Sequence, residues 1–134
     1  MTSVEIPERL TPIKPSYTYR AFPLRVVDGD TIEMRVDVGF HVEVNITVRL
    51  LGINCPEPRG ETREAGIKAT EATAYWLQTH TDIVIVTRLD PRSQTDSFRR
   101  WFAYVHGNNA AGQQEYLGDF LLGTHNAVPF RESK

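Results

Sequence analysis

A strict alternation of apolar and polar side chains over ten residues is the feature that most constrains the fold. From His41 to Leu50 every second residue is apolar, while histidine, glutamate, asparagine, threonine and arginine occupy the positions between. Successive side chains of a strand point to opposite faces, so this pattern predicts a long β-strand with one face against a core.

The chain before this strand carries two similar segments. Tyr17–Val27 is rich in β-formers and is interrupted by Pro23, which predicts a strand with a bulge or a break. Residues Ile32–Val38 alternate like the long strand. Asp28-Gly29-Asp30 and Gly39-Phe40 are the expected reversals, so three consecutive strands pair antiparallel.

A proline- and glycine-rich loop, Leu51–Gly60, follows the third strand. Thr62 is then a suitable N-cap for a helix with a stripe at helical spacing. Gly66 weakens such a helix by about 1 kcal/mol relative to alanine, so we expect it to permit a close approach to the sheet. The residues of the stripe are Ala65, Ala69, Ala72 and Trp76.

The second half predicts strands at Ile83–Val86 and Trp101–Val105, a charged loop over Arg88–Arg100, and a short helix at Leu117–Leu122. The order of elements predicts a five-stranded OB-type Greek-key β-barrel with helices, an α+β fold; an α+β sandwich is the alternative. The expected organisation is an extended arm over 1–16, one barrel domain over 17–130 and a tail over 131–134.

Charge and composition limit the function classes. Fifteen basic against seventeen acidic residues give a net charge of −2, so binding of a polyanion requires a local positive patch. The single cysteine excludes an intramolecular disulfide, and no apolar run is long enough for a membrane span. No signal peptide is apparent, so we expect an intracellular protein, although a processed secreted chain would look the same. The oligomeric state is open, and a monomer is the favoured expectation.

Two carboxylates of the first turn are candidate ligands for a hard cation. Asp28 and Asp30, separated by one glycine, can converge on an ion such as Ca²⁺. Asp-Gly also favours an ordinary hairpin turn, which is the simpler interpretation of this tripeptide alone.

The end of the long strand and the loop after it carry further candidates. Arg49 can clamp a phosphate, although an arginine on the open face of a strand is usually solvated. Two prolines flank Glu57 and hold it on a stiff loop, which suits a general base. The Asn54 amide oxygen and the Cys55 carbonyl suit a hard cation, whereas the Cys55 thiol is expected to be a small core group.

Basic and aromatic residues are interleaved over Asp96–Tyr104, including Phe98, Arg99 and Arg100. Such a mixture is typical of nucleic-acid surfaces and also of an ordinary charged loop entering a strand. Together with the turn, Arg49 and Glu57, it provides a possible cation site, two arginines and one glutamate. This inventory matches phosphodiester hydrolysis, in which positioning and charge stabilisation dominate.

The sequence resembles the staphylococcal nuclease (thermonuclease) family over nearly its whole length, from about Tyr17 to Val128. Four segments carry the resemblance in the order in which the family has them. They are Val27–Thr31, Val48–Glu57, Gly66–Ala69 and Asp96–Tyr104.

The resemblance implies an OB barrel that hydrolyses single-stranded or breathing DNA or RNA with Ca²⁺ and leaves 3′-phosphate ends. It implies that Asp30, Asn54 and the carbonyl of Cys55 are the metal ligands, with Asp28 as an outer partner. It further implies phosphate-binding and catalytic roles for Arg49, Arg100 and the general base Glu57. Separately from the resemblance, the interleaved basic and aromatic residues lead us to expect that Phe98 and Arg99 contact the nucleic acid.

Three departures from the family pattern oppose full activity. Asn54 replaces an aspartate and removes one negative charge from the metal site, which weakens Ca²⁺ binding. Arg99 replaces a glycine, and the chain ends near Lys134 without the long basic C-terminal helix of the best-known members. The alternative is therefore a weak or inactive OB module that binds single-stranded nucleic acid or a protein partner; a purely structural barrel is the third possibility.

Overall fold

Three antiparallel strands joined by tight turns begin the fold. They are β1 (Thr18–Asp28), β2 (Thr31–Asp37) and β3 (Glu43–Leu50). The structure is a computed structural model that describes residues 3–5, 15–88 and 100–130. The pairing of β1 with β2 shifts register after Pro23, which confirms the predicted bulge.

Five further strands and two helices follow in the remainder of the described chain. Two-residue strand β4 (Ile53–Asn54) precedes a 3₁₀ turn, Gly60–Thr62, and the long helix α1. The later elements follow in the order strand, strand, strand, helix, strand. Their bounds are α1 (Arg63–Thr79), β5 (Thr81–Thr87), β6 (Arg100–Asn108), β7 (Gln114–Tyr116), α2 (Leu117–Gly123) and β8 (Val128–Pro129).

Parallel pairing of β3 with β6 closes the sheet. The strands are ordered β3-β2-β1-β5-β6, and the extra β3–β6 ladder joins the two ends, while β7 continues from β6. Within the described ranges the protein is therefore a closed five-stranded barrel with two helices, an OB-type α+β fold as predicted. The strands β4 and β8 pair separately.

The core fills the barrel and the space beneath the two helices. Each barrel strand contributes alternate inward side chains, as the period of two requires. Helix α1 adds Ala69 and Trp76, and α2 adds Leu117 and Leu121. The strand residues of this core are Ala21, Ile32, Met34, Val36, Val48, Leu50, Ile83, Ile85, Ala103 and Val105.

The long alternating strand is shorter than the sequence predicts. β3 begins at Glu43, because Gly39, Phe40 and His41 all have left-handed backbone, with φ of 87°, 58° and 61°. The alternation also covers residues that the core does not reach, since the outer end of the β2–β3 hairpin projects beyond it. Val42 there is 48% exposed.

Thr62 directly precedes α1, as predicted, but it does not cap the helix with its side chain. Its hydroxyl instead donates to the carbonyl oxygen of Glu57 at 2.8 Å. The hydroxyl therefore ties the start of the helix to the loop before it.

The buried face of α1 is rotated relative to the predicted stripe. Gly66, Ala69, Thr73 and Trp76 are buried, whereas Ala65 is exposed. A Cβ at Gly66 would overlap the backbone of Glu57 and Pro58. The glycine therefore admits the loop, and the expected approach of the helix to the sheet at this point is wrong.

Most of the expected terminal segments lies outside the described residues. Of the arm over 1–16 the structure describes 3–5 and 15–16, and it describes none of the tail over 131–134. No helix among the described residues is long and apolar enough to cross a membrane.

The tight packing at Gly66 predicts a large effect of one methyl group. Gly66→Ala should lower the free energy of unfolding by about 2 kcal/mol, because a backbone carbonyl cannot move aside as a side chain can. Denaturant unfolding measures this change. Gly123→Ala is the matched control, since no atom lies within 4 Å of its added Cβ. Equal or greater stability of Gly66→Ala would contradict the packing described here.

Candidate active site

Arg49, near the end of β3, is buried although it lies on the polar face of its strand. It is 8% exposed. Its Nη1 donates to the carbonyl oxygens of Leu50 and Ile53 at 2.7 and 3.0 Å, and its Nη2 donates to Asn54 Oδ1 at 3.1 Å. The interpretation of a solvated arginine is therefore wrong, because the chain after β3 folds back around the guanidinium.

The hydrogen bonds of Arg49 leave part of its donor set unused. Nη1 donates both of its hydrogens, and Nη2 donates one of its two. The Nε–H and the second Nη2–H therefore have no hydrogen-bond partner among the described residues. The centroid of the Phe130 ring lies 6.0 Å from the guanidinium carbon, and the Phe130 side chain is partly exposed. The guanidinium is thus fixed in place while two donors remain for a ligand.

The counter-charge of Arg49 is the buried carboxylate of Asp30 in the β1–β2 turn. Oδ2 of Asp30 lies 3.6 Å from Arg49 Nη1 and accepts a 2.9 Å hydrogen bond from the backbone N–H of Cys55. Oδ1 accepts from the Thr31 hydroxyl at 3.1 Å. One carboxylate thus connects the turn, the buried arginine and the loop after β4.

Helix α1 holds this turn from below. The Thr73 hydroxyl donates to the Gly29 carbonyl oxygen at 2.5 Å. A Cβ at Gly29 would lie 2.8 Å from Ala69 Cβ and 3.0 Å from Cys55 Sγ, so only glycine fits. The tripeptide is therefore a hairpin turn, and its aspartates are held in defined positions.

The carboxylates of Asp28 and Glu57 both lie near the guanidinium of Arg59, a residue that the sequence alone did not indicate. Arg59 Nη2 lies 3.8 Å from Asp28 Oδ1, and Arg59 Nη1 lies 3.6 Å from Glu57 Oε2. Asp28 Oδ1 is buried and has no hydrogen-bond partner among the described residues. The only signal for Arg59 in the sequence is its place beside Glu57 in the same stiff loop.

Glu57 has a fixed backbone and an open side chain. Its carbonyl is held by Thr62 and packed against Gly66, while its side chain is 68% exposed. In the described part of the chain, no hydrogen bond or ion pair joins its carboxylate to Arg49 or Asp30 directly. The link runs through the loop, whose Cys55 amide is bound to Asp30.

Arg100 is positioned by the ladder that closes the barrel. Its backbone pairs with Thr47 of β3, and Phe102, two residues further, pairs with Arg49. The register therefore places Arg100 two residues from the position opposite Arg49. The other residues predicted to contact nucleic acid, Phe98 and Arg99, lie outside the described residues.

The thiol of Cys55 belongs to the core and is unsuited to nucleophilic chemistry. It is 6% exposed and packs in the main apolar cluster. Burial, with the nearby negative charge of Asp30, raises the pKa of this thiol to about 12. The thiol stays protonated at neutral pH, so its backbone, rather than its sulfur, is the part available to the site.

The oxygen atoms in this region are of the type that a hard cation prefers, but few of them carry a negative charge. Asp30 and the Asn54 amide each retain lone pairs beyond their present hydrogen bonds. Asp28 Oδ1 is buried, makes no hydrogen bond among the described residues and has only the long ion pair with Arg59, so it is an oxygen that a cation would satisfy. No group of three or more histidine, cysteine, aspartate or glutamate residues suited to a metal occurs among the described residues.

Comparison with known proteins adds no assignment. No protein-family model matches the chain, and a search of curated proteins finds no match. The resemblance to the staphylococcal nucleases therefore stays a prediction from the sequence.

The buried thiol predicts slow labelling of the native protein. A pKa near 12 instead of 9.0 reduces the thiolate fraction at neutral pH by about a thousandfold, so a thiol reagent should modify Cys55 far more slowly in native than in denatured protein. Because the folded pKa is raised, the stability conferred by the neutral thiol is complete below pH 9 and is lost as the pH rises toward 12. The stability difference between wild type and Cys55→Ala should change over that pH range. Rapid native labelling at neutral pH would contradict this account.

Proposed function

We propose that the protein is a Ca²⁺-dependent nuclease that hydrolyses single-stranded or breathing DNA or RNA and leaves 3′-phosphate ends. The observation that carries the proposal is the buried Arg49 guanidinium, held by two carbonyls, Asn54 and Asp30, with two donors that have no hydrogen-bond partner among the described residues. A guanidinium held in this way loses little freedom when it binds a phosphate bidentately.

In the proposed reaction Arg49 binds the scissile phosphate and stabilises the charge that develops on its oxygens. Glu57 takes a proton from a water molecule, whose oxygen attacks phosphorus as the bond to the 5′-oxygen breaks, and the departing 5′-oxygen takes a proton from solvent. Exposure of the Glu57 side chain gives water access, and its backbone contacts with Thr62 and Gly66 hold the loop. Arg100, by its resemblance to the family, is the second phosphate-binding arginine.

The proposed cation ligands are Asp30, Asn54 and the Cys55 carbonyl, with Asp28 as an outer partner. Bound Ca²⁺ would supply positive charge to the phosphate oxygens. Asp30 also organises the protein around this region, because it holds both Arg49 and the Cys55 amide. Two carboxylates instead of three predict weak binding of the cation.

A preference for unpaired strands is supported by the aromatic ring beside Arg49. Phe130 is 43% exposed, and its N–H donates to the Gly52 carbonyl at 2.9 Å, which fixes the backbone below the ring. Bases stack on such rings without sequence preference once they are unpaired. Phe98 and Arg99 are also proposed to contact the nucleic acid. The partners are therefore DNA or RNA.

The second candidate is an OB module that binds single strands or a protein partner without cutting. Asn54 favours it, because its amide oxygen accepts from Arg49 and adds no negative charge for a cation. In that case the same arginine binds phosphate, but hydrolysis is absent.

Cleavage of end-labelled single-stranded DNA and RNA, with Ca²⁺ titrated against an EDTA control, tests the enzyme directly. We expect Ca²⁺-dependent cutting that Glu57→Gln lowers by orders of magnitude, because the amide cannot accept the proton. Glu61→Gln, in the same loop region, is the matched control and should retain activity. Turnover by Glu57→Gln equal to wild type would show that Glu57 is not the base.

Asn54→Asp tests the missing charge. Restoring a carboxylate should tighten Ca²⁺ binding and lower the Ca²⁺ concentration needed for cutting by roughly tenfold. Calorimetric titration of Ca²⁺ checks the binding without any turnover. Asn45→Asp on β3 adds the same charge elsewhere and should leave the Ca²⁺ affinity unchanged. An unchanged affinity for Asn54→Asp would exclude Asn54 from the site.

A further inference from the structure

Arg59 lies at the rim of the candidate site between two carboxylates. Its two Nη atoms are 3.8 Å from Asp28 and 3.6 Å from Glu57. These distances exceed the 2.7–3.2 Å typical of hydrogen bonds. Among the described residues its guanidinium makes no hydrogen bond, so its donors are not committed to either carboxylate.

Other exposed arginines of the barrel are engaged differently. Arg25 holds Glu33 with two hydrogen bonds of 3.0 and 3.2 Å. Arg35 lies 3.4 Å from the carboxylate of Glu43 and 5.0 Å from the centroid of the Phe22 ring. Arg59 instead divides its contacts between two carboxylates and remains 64% exposed. Arg59 is therefore an exposed guanidinium beside the candidate site whose two ion pairs are both long, so a phosphate can replace them.

The backbone below Arg59 is held while the side chain is open. The Thr62 hydroxyl donates to the carbonyls of Glu57 and Arg59 at 2.8 and 3.3 Å. Gly60, with a φ of 65°, begins the 3₁₀ turn that leads into α1. A phosphate that binds here therefore needs only a side-chain movement.

Resting on the proposed function, we propose that Arg59 binds a second phosphate of the nucleic-acid chain, next to the phosphate that Arg49 holds. The two carboxylates at the rim repel a polyanion, and Arg59 offsets that repulsion. On binding, its guanidinium exchanges two long ion pairs for a bidentate phosphate contact. The site then takes an oligonucleotide with adjacent phosphates rather than an isolated phosphodiester.

The test is the salt dependence of binding of a short single-stranded DNA to the full-length protein in EDTA. Each phosphate contact on a single strand contributes about 0.7 to the slope of log affinity against log salt. We expect Arg59→Gln to lower that slope by about 0.7 and the low-salt affinity roughly tenfold. Arg20 is exposed and lies at the end of β1 away from Asp28. Arg20→Gln makes the same charge change and should alter neither the slope nor the affinity.

Three further outcomes separate the explanations. Arg59→Lys keeps the positive charge and should therefore keep the wild-type salt slope. A slope lowered equally in Arg59→Gln and Arg59→Lys would show a structural role and overturn the proposal. A wild-type slope in Arg59→Gln would also overturn it, while leaving the proposed nuclease intact. If the wild-type protein neither binds the strand in EDTA nor binds or cuts it with Ca²⁺, the proposed function itself fails, and the role of Arg59 fails with it.

Discussion

The contact between Arg49 and Asp30 is the interaction on which the rest of the candidate site depends. Burial of a guanidinium and a carboxylate is costly unless each is paired and hydrogen-bonded. Here the carbonyls of Leu50 and Ile53 accept from the arginine, and the Cys55 amide donates to the aspartate. The ion pair therefore determines the path of the chain from the end of β3 into the following loop.

Small residues on α1 provide the second constraint. Gly66 admits the backbone of Glu57, Ala69 packs below Gly29, and Thr73 binds the carbonyl of that glycine. One helix face thus supports both the turn with the aspartates and the loop with the glutamate. A larger side chain at these positions would separate the two segments, so the helix aligns them before any ligand binds.

Regular structure was predictable because it depends on local periodicity. The alternation around Val48 and the helical stripe that includes Trp76 place the strands and α1 correctly, and they lead to the closed barrel. The two-residue strands β4 and β8 were missed, because an element of that length leaves no pattern. The reversal at Gly39-Phe40 was predicted correctly, but the start of β3 was placed too early, because His41 also adopts left-handed backbone that its side chain does not favour.

The candidate site was only partly predictable. Asp30, Arg49 and Asn54 do meet, but sequence spacing carries no sign that Arg49 is buried, since its partners are backbone carbonyls from the next turn. Arg59 was missed because its contact with Asp28 joins residues that are far apart in the chain. Such contacts follow from the folded path, which composition and periodicity do not encode.

The most direct test of the account is the NMR signal of the Arg49 Nε–H in full-length protein labelled with ¹⁵N at arginine, with Arg49→Lys to assign it. Since this donor has no hydrogen-bond partner among the described residues, a phosphate that binds there should shift it. On titration with a short single-stranded DNA in EDTA, the account predicts a saturable shift of Arg49 and none of Arg20. Binding of the strand with the Arg49 signal unmoved would contradict it.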